Sequence, residues 1–262
     1  MIDLSSSRFL TIDKKKIEYQ WIEPTRPNYP TLIFLHSGLG CVALWRDFPA
    51  QLAAETGCGA LVYSRFGYGQ SDSAELPRPA TYMHHEALDT LPKIIRALGI
   101  SDHILIGHSD GGSIALIYAG DVAPPTLRGV ITEAAHVFNE EICIASIHKT
   151  REAYLTTEMP EKMAKHHKYP DATFWGWSDA WLHPDFWHWN IESYLPTIQA
   201  PLLVMQGLDD QYGTLAQVDA IVAGVSEGRT EKLLLAECQH TPHREQTEQT
   251  LTKMSAFVQK LC

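Results

Sequence analysis

The chain has 262 residues, 45% hydrophobic and 20% charged, an ordinary balance for a globular protein and enough length to bury a substantial α/β core. Its formal net charge of −10, with no basic block beyond Lys14-Lys15-Lys16, argues against nucleic-acid or anionic-membrane partners, which need positive surface. Asp3 and the lack of an early apolar run argue against a signal peptide, and no apolar stretch approaches the roughly 18 residues of a membrane span. The five cysteines are scattered and never in C-x-x-C spacing, so a reduced, cytoplasmic protein without structural zinc is expected.

Two strand-like segments, "RFLTID" and "KIEYQWIE", open the chain around a charged turn. "TLIFLHS" (31–37) is a continuous apolar run ending in polar residues and glycine, the pattern of a buried strand. A helix is predicted over 43–56 and a second buried strand over 59–65. Apolar spacing predicts a helix over 82–99, kinked or restarted at Pro92 and stopped by Gly99. "HILIG" and "LRGVITEA" are further strands flanking a helix; "PLLVMQG" (201–207) and "EKLLLAEC" (231–238) repeat the strand pattern around a helix at 214–225. An amphipathic helix runs to about residue 260. Strands alternating with helices imply a mainly parallel central sheet with helices on both faces. The rhythm breaks over 139–197, which has no strand-like run and holds Trp175, Trp177, Trp181, Trp187 and Trp189. That segment is expected to be a helical insertion over a core built from 1–138 and 198–262, its aromatics divided between its own packing and a pocket wall.

One junction carries chemistry. The strand "HILIG" runs into Gly107-His108-Ser109-Asp110-Gly111 and then into a helix. A bare G-x-S-x-G is a weak signal, but a strand before it and a helix after it are what a nucleophile elbow needs, with small residues where backbones approach closely. The backbone N–H of Asp110, at a helix start, can then serve an anion. A serine hydroxyl is a poor nucleophile until a base takes its proton and an acid orients that base. Later strands supply both in that order: "PLLVMQG" runs into Asp209 and Asp210, and "EKLLLAEC" into His240, with His243 close behind as a rival base.

These features together resemble the α/β-hydrolase superfamily over nearly the whole chain. The resemblance implies G-x-x-D after the sixth core strand, here Gly207-Leu208-Asp209-Asp210, which selects Asp210. It implies a Gly-His pair before the last helix, where this chain has Gln239-His240. It also implies an H-G-x run whose backbone completes an oxyanion hole; here that run is His36-Ser37-Gly38-Leu39-Gly40, with Gly38 the expected donor beside Asp110 and Leu39 the alternative. "SRFGYGQSD" (64–72) resembles the family's R-G-x-G-x-S-D loop, with Phe66 for the first glycine, a structural loop to which no chemistry is assigned.

The implied activity is hydrolysis of a small-molecule ester, lactone or thioester through an acyl-enzyme on Ser109, with His240 as base and Asp210 as orienting acid. A carbon–carbon bond hydrolase of aromatic catabolism and, further off, a ligand-binding receptor on the same fold are the alternatives. Ser37, Leu39, His136, Trp175 and Trp181 are candidates for the pocket wall. No cofactor is called for. The doublets His84-His85 and His166-His167 and the pair His183/His188 lack an acidic partner at ligand spacing, so no metal site is expected. The partner expected is a small molecule, and exposed aromatics on the insertion suit a homodimer face as well as a lid.

Overall fold

The computed structural model describes residues 7–262. Eight strands form one sheet in the order β1-β2-β4-β3-β5-β6-β7-β8: β1 (Arg8–Ile12), β2 (Lys15–Ile22), β3 (Thr31–Leu35), β4 (Ala60–Tyr63), β5 (His103–His108), β6 (Leu127–Glu133), β7 (Leu202–Gly207) and β8 (Thr230–Leu235). The first two strands pair antiparallel at one edge; every pairing from β4 to β8 is parallel. Parallel strands need crossovers, and these, with the helix that follows the last strand, supply the helices of both faces.

The two-residue side-chain period divides the central strands between two cores. Leu32, Phe34, Ile104, Ile106, Ile131, Leu203 and Met205 face α1 (Phe48–Thr56) and α10 (Thr247–Gln259). Ile33, Leu35, Leu105, Val130 and Val204 face the opposite side, with α3 (Leu91–Ala97), α4 (Asp110–Asp121) and α8 (Leu215–Gly224). Among the described residues no helix is long and apolar enough to cross a membrane.

Two predicted helices are interrupted, each for a local reason. The 43–56 segment divides into a 3-10 turn, Val42–Trp45, and α1, because Arg46 sits at φ 53° and Pro49 opens the new helix. The 82–99 segment divides at Pro92: α2 (Tyr82–His85) passes through a π-helical turn, Glu86–Thr90, and α3 restarts with the proline in its first turn, where its missing N–H costs nothing.

Between β6 and β7 the chain forms α5 (Glu141–Thr156), α6 (Met159–Ala164), α7 (Pro170–Trp181) and two 3-10 turns. Bonds to loops at strand carboxyl ends hold this segment: Thr173 Oγ1 donates to the Gly67 carbonyl at 2.6 Å, Ser146 Oγ to that of Gln211, and Thr150 Oγ1 lies 2.8 Å from the Tyr212 hydroxyl. Short α9 (Pro242–Glu245) precedes α10.

Candidate active site

Ser109 caps α4 at φ 54°, ψ −118°, a left-handed conformation that a side chain adopts only under constraint. The constraint is visible. The Ser109 N–H donates to the Glu133 carbonyl of β6 at 2.8 Å, and its own carbonyl accepts from the Gly112 N–H at 2.8 Å. A Cβ on Gly111 would lie 1.9 Å from the Leu35 carbonyl oxygen, so only glycine lets α4 start this close to β3. The turn seats Ser109, 7% exposed, on the wall of a cavity of about 100 Å³.

His240 lies on the same wall. Its Nδ1 is 2.9 Å from each carboxylate oxygen of Asp210. A carboxylate there accepts, so a proton sits on Nδ1, and in the neutral ring it is Nε2 that carries the lone pair. Burial pushes the Asp210 carboxyl up, but His240 and the Tyr212 N–H, donating at 2.8 Å, more than offset this and hold it below the ordinary carboxylate value. Asp209, its neighbour, is exposed to solvent. His243 faces elsewhere: its Nδ1 is 2.6 Å from Glu133 Oε2, in a buried pair beneath the elbow.

The glycine that the resemblance implies before His240 is not needed. In this loop the left-handed residue is Glu237 (φ 52°), not Gln239. The Glu245 carboxylate accepts from the N–H groups of both Gln239 and Thr241, and the His240 carbonyl accepts from His108 Nε2 at 2.7 Å.

Ser37, Gly38, Leu39, Asp110, His136 and Trp181 also line the cavity. Trp175 does not, a correction to the sequence reading. It packs edge-on to Phe174 and Tyr154 with the Arg151 guanidinium over its ring, while Trp177, two residues on, faces the cavity beside Cys143, Ile147 and Tyr212. His136 is 2% exposed, and burial, reinforced by His240, lowers its imidazole to about 4, so it is neutral near pH 7. His36 is also held neutral, by burial and by Arg65; it donates from Nδ1 to the Ser37 carbonyl and accepts the Arg65 N–H on Nε2 at 3.0 Å. Among the described residues no three His, Cys, Asp or Glu side chains converge as a metal site would require.

Residues 30–176 match the sequence profile of the alpha/beta hydrolase fold. The chain belongs to the α/β-hydrolase family. A proline iminopeptidase of Clostridium botulinum is 28% identical over 160 residues, 60% of this chain and 52% of that protein. One of Lactobacillus delbrueckii subsp. lactis is 28% identical over 100 residues, 38% of this chain and 34% of that protein. This α/β hydrolase thus spans about half the length of the first curated relative it matches and a third of the second. An esterase from Exiguobacterium antarcticum superposes with a TM-score of 0.76 at 20% identity, covering 97% of this chain and 99% of that one. The enol-lactonase from Burkholderia xenovorans LB400 superposes at 0.73 with 17% identity, covering 96% and 99%. At such identities the superpositions speak to the fold.

Proposed function

We propose that this α/β hydrolase is a serine esterase-type enzyme that cleaves a small, uncharged ester, lactone or thioester through an acyl-enzyme on Ser109. One observation carries the reading: a strained, cavity-facing serine shares its wall with an imidazole whose Nδ1 is fixed by a buried carboxylate. In this mechanism Ser109 Oγ attacks the substrate carbonyl while His240 Nε2 takes its proton. The negative charge developing on the carbonyl oxygen is met by the backbone N–H groups of Gly38 and Asp110, the latter at the positive end of α4. His240 returns the proton to the departing alkoxide or thiolate, which leaves. Water, deprotonated by the same imidazole, then attacks the acyl-enzyme, and the acid departs as Ser109 regains its proton.

Size and charge narrow the substrate. About 100 Å³ is well below the ~300–1,000 Å³ of pockets for drug-sized ligands, which favours a short acyl group. Trp177, Trp181 and Ile147 favour an apolar one. An aminopeptidase would need a free anion for the substrate ammonium, and the Asp110 carboxylate in this wall is already engaged by Arg65, Tyr82 and Trp181. In this reading residues 139–197 act as a cap that shapes the acyl site. Fluorophosphonate labelling of the wild type and of Ser109→Ala tests the assignment, with p-nitrophenyl esters of increasing chain length and proline p-nitroanilide as substrates. Labelling lost in the variant, with turnover highest on the shortest esters, is expected. A folded wild type that takes no label would sink the serine-hydrolase reading and favour the receptor; turnover of the anilide above the esters would move it to a peptidase.

A further inference from the structure

The two halves of the proposed oxyanion hole come from different segments: the 36–40 loop after β3, and the first turn of α4 after β5. One side chain reaches both. Arg65, at the end of β4 and 2% exposed, directs Nη2 to the Ser37 carbonyl at 2.8 Å and the His36 carbonyl at 3.2 Å. The same guanidinium meets Asp110 Oδ2 at 3.4 and 3.5 Å, and its face lies over the Tyr68 ring at 4.7 Å. Asp110, 1% exposed, is further held by the Tyr82 hydroxyl at 2.6 Å and by Trp181 Nε1 of α7 at 3.3 Å, while Trp181 Nε1 also donates to Tyr82 at 2.9 Å.

A buried ion pair is a poor route to stability, because desolvating both charges offsets most of their attraction. What a planar, five-donor fork supplies is geometry: several acceptors fixed at set angles to one another. These acceptors are the carbonyls just before Gly38 and the side chain of the residue after Ser109. We propose that Arg65, paired with Asp110, is the positioning residue of the oxyanion hole, holding the Gly38 and Asp110 N–H groups in fixed relation and joining them through Trp181 to the cap. The proposal rests on the serine-hydrolase reading. Arg65 touches no reacting atom; it acts through the two N–H groups, whose value depends on where they point as charge develops.

Arg65→Lys keeps the charge and loses the fork. With active sites counted by fluorophosphonate titration, kcat per titrated site should fall by about tenfold or more, the scale of a donor misplaced by an ångström, while KM stays within about threefold. Affinity for a trifluoromethyl ketone, whose adduct carries the oxyanion, should fall by the same factor as kcat/KM. A role limited to stability would lower the number of titratable sites and leave kcat per site and ketone affinity alone. That outcome, kcat per site within about twofold of wild type, overturns the proposal. If Arg65→Lys does not fold, Asp110→Asn, which keeps an acceptor for Tyr82 and Trp181 and loses the ionic anchor, is read in the same way and with the same overturning result. A wild type that takes no label overturns the hydrolase reading and this proposal together; a labelled wild type with unaffected variants overturns only the proposal.

Discussion

Gly38→Ala should force a choice between α7 and the 36–40 loop, the proposed oxyanion loop. An ideal Cβ at Gly38 would lie 2.1 Å from Trp177 Nε1, 2.4 Å from Cδ1 and 3.0 Å from Cε2. The first of these is about 1.4 Å short of the ~3.5 Å at which heavy-atom contact becomes favourable. The indole has little room to yield: Trp177 is 6% exposed and packs edge-on to Phe174. If the indole moves, the cost is that of overpacking, about 1–3 kcal/mol, or a fall in Tm of about 2–12 °C for a chain of this size. If the loop moves instead, the Gly38 N–H moves with it, and kcat should drop by about 10²–10³ at a smaller Tm cost. Thermal melts and p-nitrophenyl acetate turnover, measured on the same preparations, separate the two. Trp177→Ala removes the obstructing atoms, so the double variant should cost about 1–3 kcal/mol less than the sum of the singles. Melting and turnover both at the wild-type value in Gly38→Ala, or single costs that add to within about 0.5 kcal/mol, would refute the packing argument.

His243→Ala should lower stability by about 3–5 kcal/mol, because it leaves Glu133, fully buried, without its imidazole partner. The folded fraction should still take fluorophosphonate and turn over esters, whereas the folded fraction of His240→Ala should fail to turn them over; the reverse pattern would make His243 the base. Stability should also fall on acidification. Burial holds the imidazoles of His36, His103, His108, His136 and His167 below the ordinary value, so between pH 6.5 and 4 the unfolded chain binds protons that the folded one refuses. This stability is complete above pH 6.5 and is lost as the pH drops; His136, lowered from 6.5 to about 4, accounts for up to about 3 kcal/mol. Urea melts from pH 7 to 4.5 should slope downward and do so less in His136→Phe. A flat profile would contradict the burial argument.

Much of the site was legible because parallel sheets gather carboxyl ends along one edge, where open α/β folds place their ligands. Ser109, Asp210 and His240 each lie within a few residues of such an end, so reading the strands was enough to bring them together. The choice between Trp175 and Trp177 was not available in the same way. Residues two apart on a helix point about 200° from one another, so only one can face the cavity. At 100° per residue Phe174, Trp175, Trp177 and Trp181 spread over an arc of about 160° with Trp175 and Trp177 at its two edges, so periodicity does not mark which edge faces inward. The 36–40 loop decides between them, since Gly38 leaves room for an indole at 177.

Arg65 was obscured for another reason. It lies in a loop whose pattern is that of a structural turn, 28 residues from Ser37 and 45 from Asp110 in the chain. Its role emerges from strand order rather than local pattern. In the order β4-β3-β5, β3 is flanked by the strand that leads into Arg65 and the strand that leads into Ser109. The guanidinium therefore reaches across the end of β3, meeting the His36 and Ser37 carbonyls on the way to Asp110. An arginine after β4 and an acid after Ser109 each look like ordinary surface polarity when read alone. With β3 between them they become one buried pair, whose two charges need each other to remain buried at all. In the proposed mechanism the residue after Ser109 thus has two duties, its N–H toward the substrate oxygen and its carboxylate toward Arg65, and a substitution that preserves the first can still disturb it through the second.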